Sequence, residues 1–378
     1  TCYPYEQNYK KVNSDGLDTL PNEIILKIFI YLTIKDLGKC AQVSKNFYEI
    51  AYDKTLWTKI LITSRIMPHM LLVQGLSRGA KYLGLSKVSF VSMSQPNFPP
   101  TNKVEYLALR DSFMDENYFR QFILSCHNLK KLSVTGPFVR WKSGDLLKGI
   151  LQNSNSLKIL DLGGCDNLES QDFQSIMSSC LNLTEANFSF SFSSFIFENC
   201  ARNIEKLGLS KVEISINEII TLFTQCNKLT DLDLTWASII DEIGHRNIKF
   251  PTKTQLQSLY IGDCDIKSTH LEMLILSCEN SLQLLDFSYF QYNITPQAIE
   301  LIVSRCLYLT TVDFGGLKHA AFICNNLTSN IEKVCFSKTD ISNDDIKILV
   351  SRCKKIKELD ISHTKILIDI VVDEIVLH

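Results

Sequence analysis

Long apolar runs are missing from this 378-residue chain. None approaches the roughly 18 to 20 residues that span a bilayer, and the first thirty residues hold no basic start followed by an apolar stretch. Neither a membrane span nor a secretory leader is expected. Glycine and proline are sparse, at 15 and 9 residues, which argues against collagen-like and linker-rich architectures. Net charge is nearly absent too: at −2, nothing draws the chain to nucleic acid or to an anionic lipid surface. There are seven histidines, and no G-x-S-x-G, no glycine-rich phosphate loop and no H-E-x-x-H occurs, so an enzyme would lack its usual parts. The chain opens on Thr1 rather than methionine, which leaves room for an upstream segment.

With 45% hydrophobic and 21% charged residues, the chain has the composition of a folded, soluble protein. Its 13 cysteines are odd in number, contain no C-x-x-C pair and are spread over a long chain. Reduced thiols in a cytoplasmic or nuclear compartment fit that pattern best. The N-x-S/T triplets at Asn182, Asn187, Asn293 and Asn326 are common by chance and do not alter the reading.

One short pattern returns along most of the chain: leucine, two residues, leucine, one residue, leucine. Val104, Leu129, Leu157, Leu183, Ile204, Leu229, Leu256, Leu282, Leu309, Ile331 and Ile356 each open a copy. The spacing averages about 25 residues, inside the range of leucine-rich repeats. A less regular copy at Ala80–Leu85 begins the array. The block Asn203–Thr235 also aligns with Asn330–Ser362 at a constant offset, as a duplication would leave it.

Each copy predicts a short strand, a turn, a helix and a return. Alternation in Leu160-Asp161-Leu162 or Leu232-Asp233-Leu234 puts the leucines on one face and the middle residue on the other. Helices are expected at Asn217–Gln225 and Pro296–Arg305. Ser215 with Glu218 and Ser342 with Asp345 have capping-box spacing, and Thr295 precedes a proline at the first helical position. Cys126, Cys180, Cys226, Cys306 and Cys353 each stand three residues, and Cys278 four, before a repeat's first aliphatic. That position suits a small buried hydrophobe, and its spacing fits no zinc pattern, so no metal is expected. Strands pack at about 4.8 Å and helices at about 8 to 10 Å, so a stack of such coils must bend with its strands inside.

Residues before the array are different. Leu20–Phe29, Ile34–Leu37 and Lys39–Ala51 read as short amphipathic helices. The run Leu20-Pro21-x-Glu23-Ile24-Ile25-x-x-Ile28-Phe29-x-Tyr31-Leu32, then Asp36-Leu37, Val43-Ser44-Lys45-x-Phe47-Tyr48 and Leu56-Trp57, resembles an F-box. It departs at Phe47, where tryptophan is more frequent, and at Ser44, where cysteine is common. With the repeats behind it, the chain resembles the F-box and leucine-rich-repeat family over residues 18 to 362, with the segment from Thr63 to Phe98 closest to its S-phase kinase-associated branch.

The expected fold class is therefore α/β: a small all-helical F-box domain followed by a leucine-rich-repeat solenoid, its curved parallel sheet inside and its helices outside. The boundaries expected are a tail at 1–17, the F-box at 18–62, a helical linker at 63–79, about 12 repeats at 80–362, and a tail or cap at 363–378. The resemblance implies a non-catalytic substrate receptor of a cullin-RING ubiquitin ligase. The F-box would dock on a Skp-type adaptor, which joins the cullin and RING subunits, and no cofactor would be needed. The residues expected to meet the adaptor are Leu20, Pro21, Glu23, Ile24, Ile25, Ile28, Leu32, Leu37 and Trp57, while Phe29, Val43 and Phe47 are expected in the helical core.

A protein substrate would meet the strand face. Its middle positions include Asp233, Tyr260, Asp286 and Asp313, which could attract a basic ligand or merely tie down neighbouring backbone. The next column, from Gly163 to Ser362, is small throughout. Departures from smallness are candidate contacts: Arg110, Trp141, Trp236, Tyr289, Phe290 and Tyr292, of the types that dominate interfaces. A small Cks-type accessory protein is a further candidate partner in the resembled branch, although basic wall positions are sparse. The competing reading is a scaffold or small-ligand sensor with a vestigial F-box. The phenylalanines at 188, 190, 192, 195 and 197 are expected to be buried.

Overall fold

The computed structural model describes residues 17, 20–90, 95–99, 102–136, 143–165, 167–191, 197, 202–240, 250–251, 254–289 and 295–366. The chain divides into two compact units, residues 1–132 and 133–378.

In the first unit three short helices come first: α1 (Asn22–Phe29), α2 (Ile34–Cys40) and α3 (Lys45–Ala51). Their starts are set by side chains. Thr33 accepts from the Asp36 amide and Ser44 from the Phe47 amide, which satisfies N–H groups the first turn leaves open. The Ser44 cap starts the third helix at Lys45 instead of the expected Lys39. The helices close over Ile25, Phe29, Leu37, Ala41, Phe47, Ile50 and Ala51, with the Phe29 and Phe47 rings edge to face at 5.2 Å.

The expected helical linker at 63–79 is corrected. Strand β1 (Lys59–Met67) precedes helix α4 (His69–Ser77), and β1 pairs in parallel with β2 (Tyr82–Phe90), which pairs with β3 (Tyr106–Arg110). The strand–helix–strand rhythm thus begins one coil before Ala80. The signal was weak because Lys59-Ile60-Leu61-Ile62-Thr63 is β-branched but carries no leucine motif. Helix α5 (Glu116–Ser125) buries Tyr118, Phe119, Phe122 and Ile123.

In the second unit nine three-residue strands, among the described residues, run parallel from Ile159–Asp161 to Glu358–Asp360 and pair in register. The middle residue is the buried one, as in Leu160, Leu232 and Leu285, in every strand but the last, where Leu359 is half-buried. Helices such as Ile216–Gln225, Pro296–Arg305 and Asn343–Arg352 return the chain. Ser215 and Thr295 cap theirs, and Ser342 with Asp345 completes a reciprocal capping box. The closely spaced repeat starts Leu309 and Ile331 leave room for only seven helical residues, Ala320–Asn326. The duplicated blocks keep one bond at equivalent places: Lys228 donates to Asn203 at 2.8 Å and Lys355 to Asn330 at 2.9 Å.

Of the eleven described cysteines nine are buried, several of them as the residue that ends a helix: Cys126, Cys180, Cys226, Cys306 and Cys353. Burial pushes the Cys180 thiol up to about 11 and those of Cys126, Cys306 and Cys324 up to about 12. A raised folded-state value means the folded protein retains protons that the unfolded chain releases above about 9. Stability is then unaffected below that pH and falls as pH climbs from about 9 toward 12. Urea unfolding at stepped alkaline pH should show this decline. A Cys126→Ala/Cys306→Ala variant should lose part of the slope.

Among the five phenylalanines from 188 to 197, Phe188 and Phe197 are fully buried while Phe190 is 47% exposed; Phe192 and Phe195 lie outside the described residues.

Candidate functional site

Helix α1 has two apolar stripes. Ile25 and Phe29, four apart, face the three-helix core. Ile24, Ile28 and Tyr31, also spaced by four and three, lie on the other side at 41%, 40% and 88% exposure. Residues at that spacing share one helix face, as Ile24 and Ile28 do on α1, and Tyr31 follows in the turn after the helix. Pro21 and Glu23 are exposed beside it, and Leu20 and Leu32 are half-buried against the core. Ile30, Val43 and Tyr48 are exposed too. Apolar side chains in such a cluster mark a contact surface more often than scattered ones do. Tyr31 was legible as the residue seven beyond Ile24, whereas Val43 is corrected: expected in the core, it faces out because Ala41 fills the inner position after α2.

Three expected adaptor contacts are corrected in the same way. Ile25 and Leu37 are 1% and 2% exposed, held in the helical core. Trp57 is 6% exposed. Its indole N–H donates to the Ala51 carbonyl at 2.9 Å, its ring stacks on Tyr52 at 5.8 Å, and the Arg78 guanidinium lies 4.7 Å from the ring centroid. These bonds turn the indole inward to join α3 to the end of α4.

The second candidate surface is the open strand face of the second unit. The register sets Asp233, Tyr260, Asp286 and Asp313 side by side on four neighbouring strands. A cavity of about 520 Å³ opens over the later part of this row, from Tyr260 onward, lined among others by Asp286, Asp313, Lys333, Cys335 and Asp360. Each aspartate also ties its own turn. One carboxylate oxygen accepts the backbone N–H two residues on, at Thr235, Ser288 and Gly315. Asp233 takes the Ser210 hydroxyl at 2.6 Å as well. The tethering role foreseen for these residues is therefore real. Burial, and then Asp231, Asp233 and Asp286, push the Tyr260 phenol up. Burial likewise raises the Asp313 carboxyl from its ordinary value, with Asp286 and Asp360 adding to it. Asp233→Ala should cost about 1 to 2 kcal/mol, measured by denaturant unfolding, since Thr235 and Ser210 lose their acceptor.

Trp236 and Tyr289 stand at the row's edge, one column beyond the small residues Thr235 and Ser288. Arg110 ends β3 in the first unit and is exposed. Trp141, Phe290 and Tyr292 lie outside the described residues. Among the described residues no group of histidine, cysteine or acidic side chains is placed to hold a metal ion, and no helix is long and apolar enough to cross a membrane.

Residues 17–63 match the F-box-like family model. F-box/WD repeat-containing protein 8 of Rattus norvegicus is 44% identical over 50 residues, 13% of this chain and 8% of that protein. Its Homo sapiens counterpart is 51% identical over 41 residues, 11% and 7% of the two chains. The likeness thus spans less than a tenth of these relatives' length. Among solved structures, an internalin (inlF) of Listeria monocytogenes aligns over 95% of this chain and 97% of that one, with a TM-score of 0.51 at 15% identity. That is a likeness of fold alone. The chain therefore joins an F-box-like domain at its amino-terminal end to a repeating array of parallel strands and returning helices.

Proposed function

We propose that the chain is the substrate-recognition subunit of a Skp–cullin–F-box ubiquitin ligase. The observation that carries this reading is the Ile24, Ile28, Tyr31 stripe, an exposed apolar face on the F-box-like helices. A helical segment this small buries one face on itself and leaves the other for a partner, and apolar faces of this kind are typical of stable interfaces. The adaptor would cover that stripe together with Pro21 and Glu23, and would link the chain to cullin and RING subunits. The strand face of the second unit would then present a protein client to the ligase, whose chemistry the other subunits perform. The length of chain between Thr63 and Phe98, which resembles the S-phase kinase-associated branch, supports a place there, with a Cks-type accessory protein as a further partner.

Purified chain mixed with a Skp-type adaptor and a cullin should elute as one complex in size-exclusion chromatography. Elution of the chain by itself at micromolar concentration would refute the reading.

A further inference from the structure

Strands β1, β2 and β3 of the first unit present one face in rows that their register sets. Lys59, Tyr82 and Tyr106 share the first row, and Leu61, Gly84 and Ala108 the second. The third row runs through Ser86 to Arg110. Alternate strand residues point to the same side, and those between the rows, such as Leu83 and Leu107, are the buried ones. Lys131 extends the first row: its N–H donates to the Glu105 carbonyl at 3.0 Å, as that of Tyr106 does to Lys81 one strand earlier.

Packing within the fold accounts for only part of this face. Leu61 lies across Gly84, where an added Cβ would come within 2.7 Å of it, and it remains 61% exposed. The Tyr82 and Tyr106 rings stack at 4.2 Å, and Tyr82 is still 42% exposed. Lys59, Lys131 and Arg110 make no ion pair among the described residues. The carboxylate at the foot of these strands, Glu105, is taken by Lys130 at 2.7 Å and Lys81 at 3.7 Å. Asp111 follows Arg110 but sits in the turn beyond β3, with φ of 48°. No acidic residue stands in any of the three rows.

A chain of net charge −2 thus sets three cations around an apolar and aromatic centre. Such a face complements carboxylates at either end with an apolar side chain between them. The rows are about 6.6 Å apart, two residues of strand, which is also the period at which an extended polypeptide repeats a face. Tyrosine and arginine are among the types that dominate interfaces, whereas three cations are few for a nucleic-acid backbone.

We propose that this face of the first unit is a further docking surface, which binds an acidic segment of a partner polypeptide. An apolar residue of that segment seats on Leu61, between carboxylates that meet Lys59 or Lys131 at one end and Arg110 at the other. The surface is additional to the adaptor stripe and to the strand face of the second unit, and depends on neither.

The test uses the full chain without adaptor and follows the anisotropy of a fluorescein-labelled peptide, Glu-Ser-Leu-Ser-Glu-Ser-Leu-Ser-Glu. It should bind at least tenfold more tightly than the same peptide with lysine for glutamate, and at least threefold more tightly than one with serine for leucine. Lys59→Gln with Arg110→Gln should weaken binding at least tenfold and leave the thermal midpoint nearly unchanged, since both side chains are exposed. Lys27→Gln with Lys318→Gln, an equal change of charge at exposed positions elsewhere, should bind as the parent does. No binding, equal binding of either control peptide, full binding by the Lys59 and Arg110 variant, or equal loss in the Lys27 and Lys318 variant would each overturn the proposal. A variant altered at Ile24 and Ile28 should bind the peptide normally, so failure here is distinguishable from failure of adaptor docking.

Discussion

Ile24→Asp with Ile28→Asp should lower capture of a Skp-type adaptor by roughly a thousandfold and leave the thermal midpoint nearly unchanged. Central interface anchors typically carry about 2 kcal/mol or more each, and two of them give about 4 kcal/mol, near three decades in Kd. The fold should survive because both side chains lie outside the helical core, on the face away from Ile25 and Phe29. Surface substitutions of this kind usually stay within about 0.5 kcal/mol. Titration calorimetry with purified adaptor, alongside a thermal melt, reads both quantities. Unchanged capture would remove the α1 stripe as the docking face, and a collapsed melt would mean that the stripe supports the fold.

Trp57→Ala should have the opposite signature. Removing a buried tryptophan costs about 3 to 5 kcal/mol, and here the change also strands the Ala51 carbonyl and frees Arg78. The melting transition of the first unit should fall by about 10 °C or more, and adaptor capture should weaken only as far as the folded fraction does. Trp57→Phe, which keeps the ring but not the N–H, should recover most of the loss. Had Trp57 been a surface anchor, the alanine variant would lose adaptor with its melt intact; differential scanning calorimetry beside the same titration separates the two.

The repeat was legible because its cause is local. A buried aliphatic in the middle of a strand and a capping serine or threonine before several of the helices are set by period and by backbone N–H groups, and both can be read from neighbours in the chain. Ser215, Thr295 and Ser342 were identifiable as caps for that reason. The row of strand aspartates was equally legible, though its two roles were not separable, because whether Asp233 faces a ligand or its own Thr235 amide depends on a turn a few ångströms away.

By contrast, which apolar residues of the first unit face inward was decided in three dimensions. Ile24 and Ile25 are the same residue type at adjacent positions, yet one is 41% exposed and the other 1%. Trp57 reads as exposed until Tyr52 and Arg78 close around it. In the same way β1 has no leucine signature and becomes part of the array only by pairing with Tyr82–Phe90. Periodicity along a chain therefore determined which elements form and what they repeat. Burial depends on partners distant in sequence, so only the tertiary structure decided which of their faces remained open to another molecule.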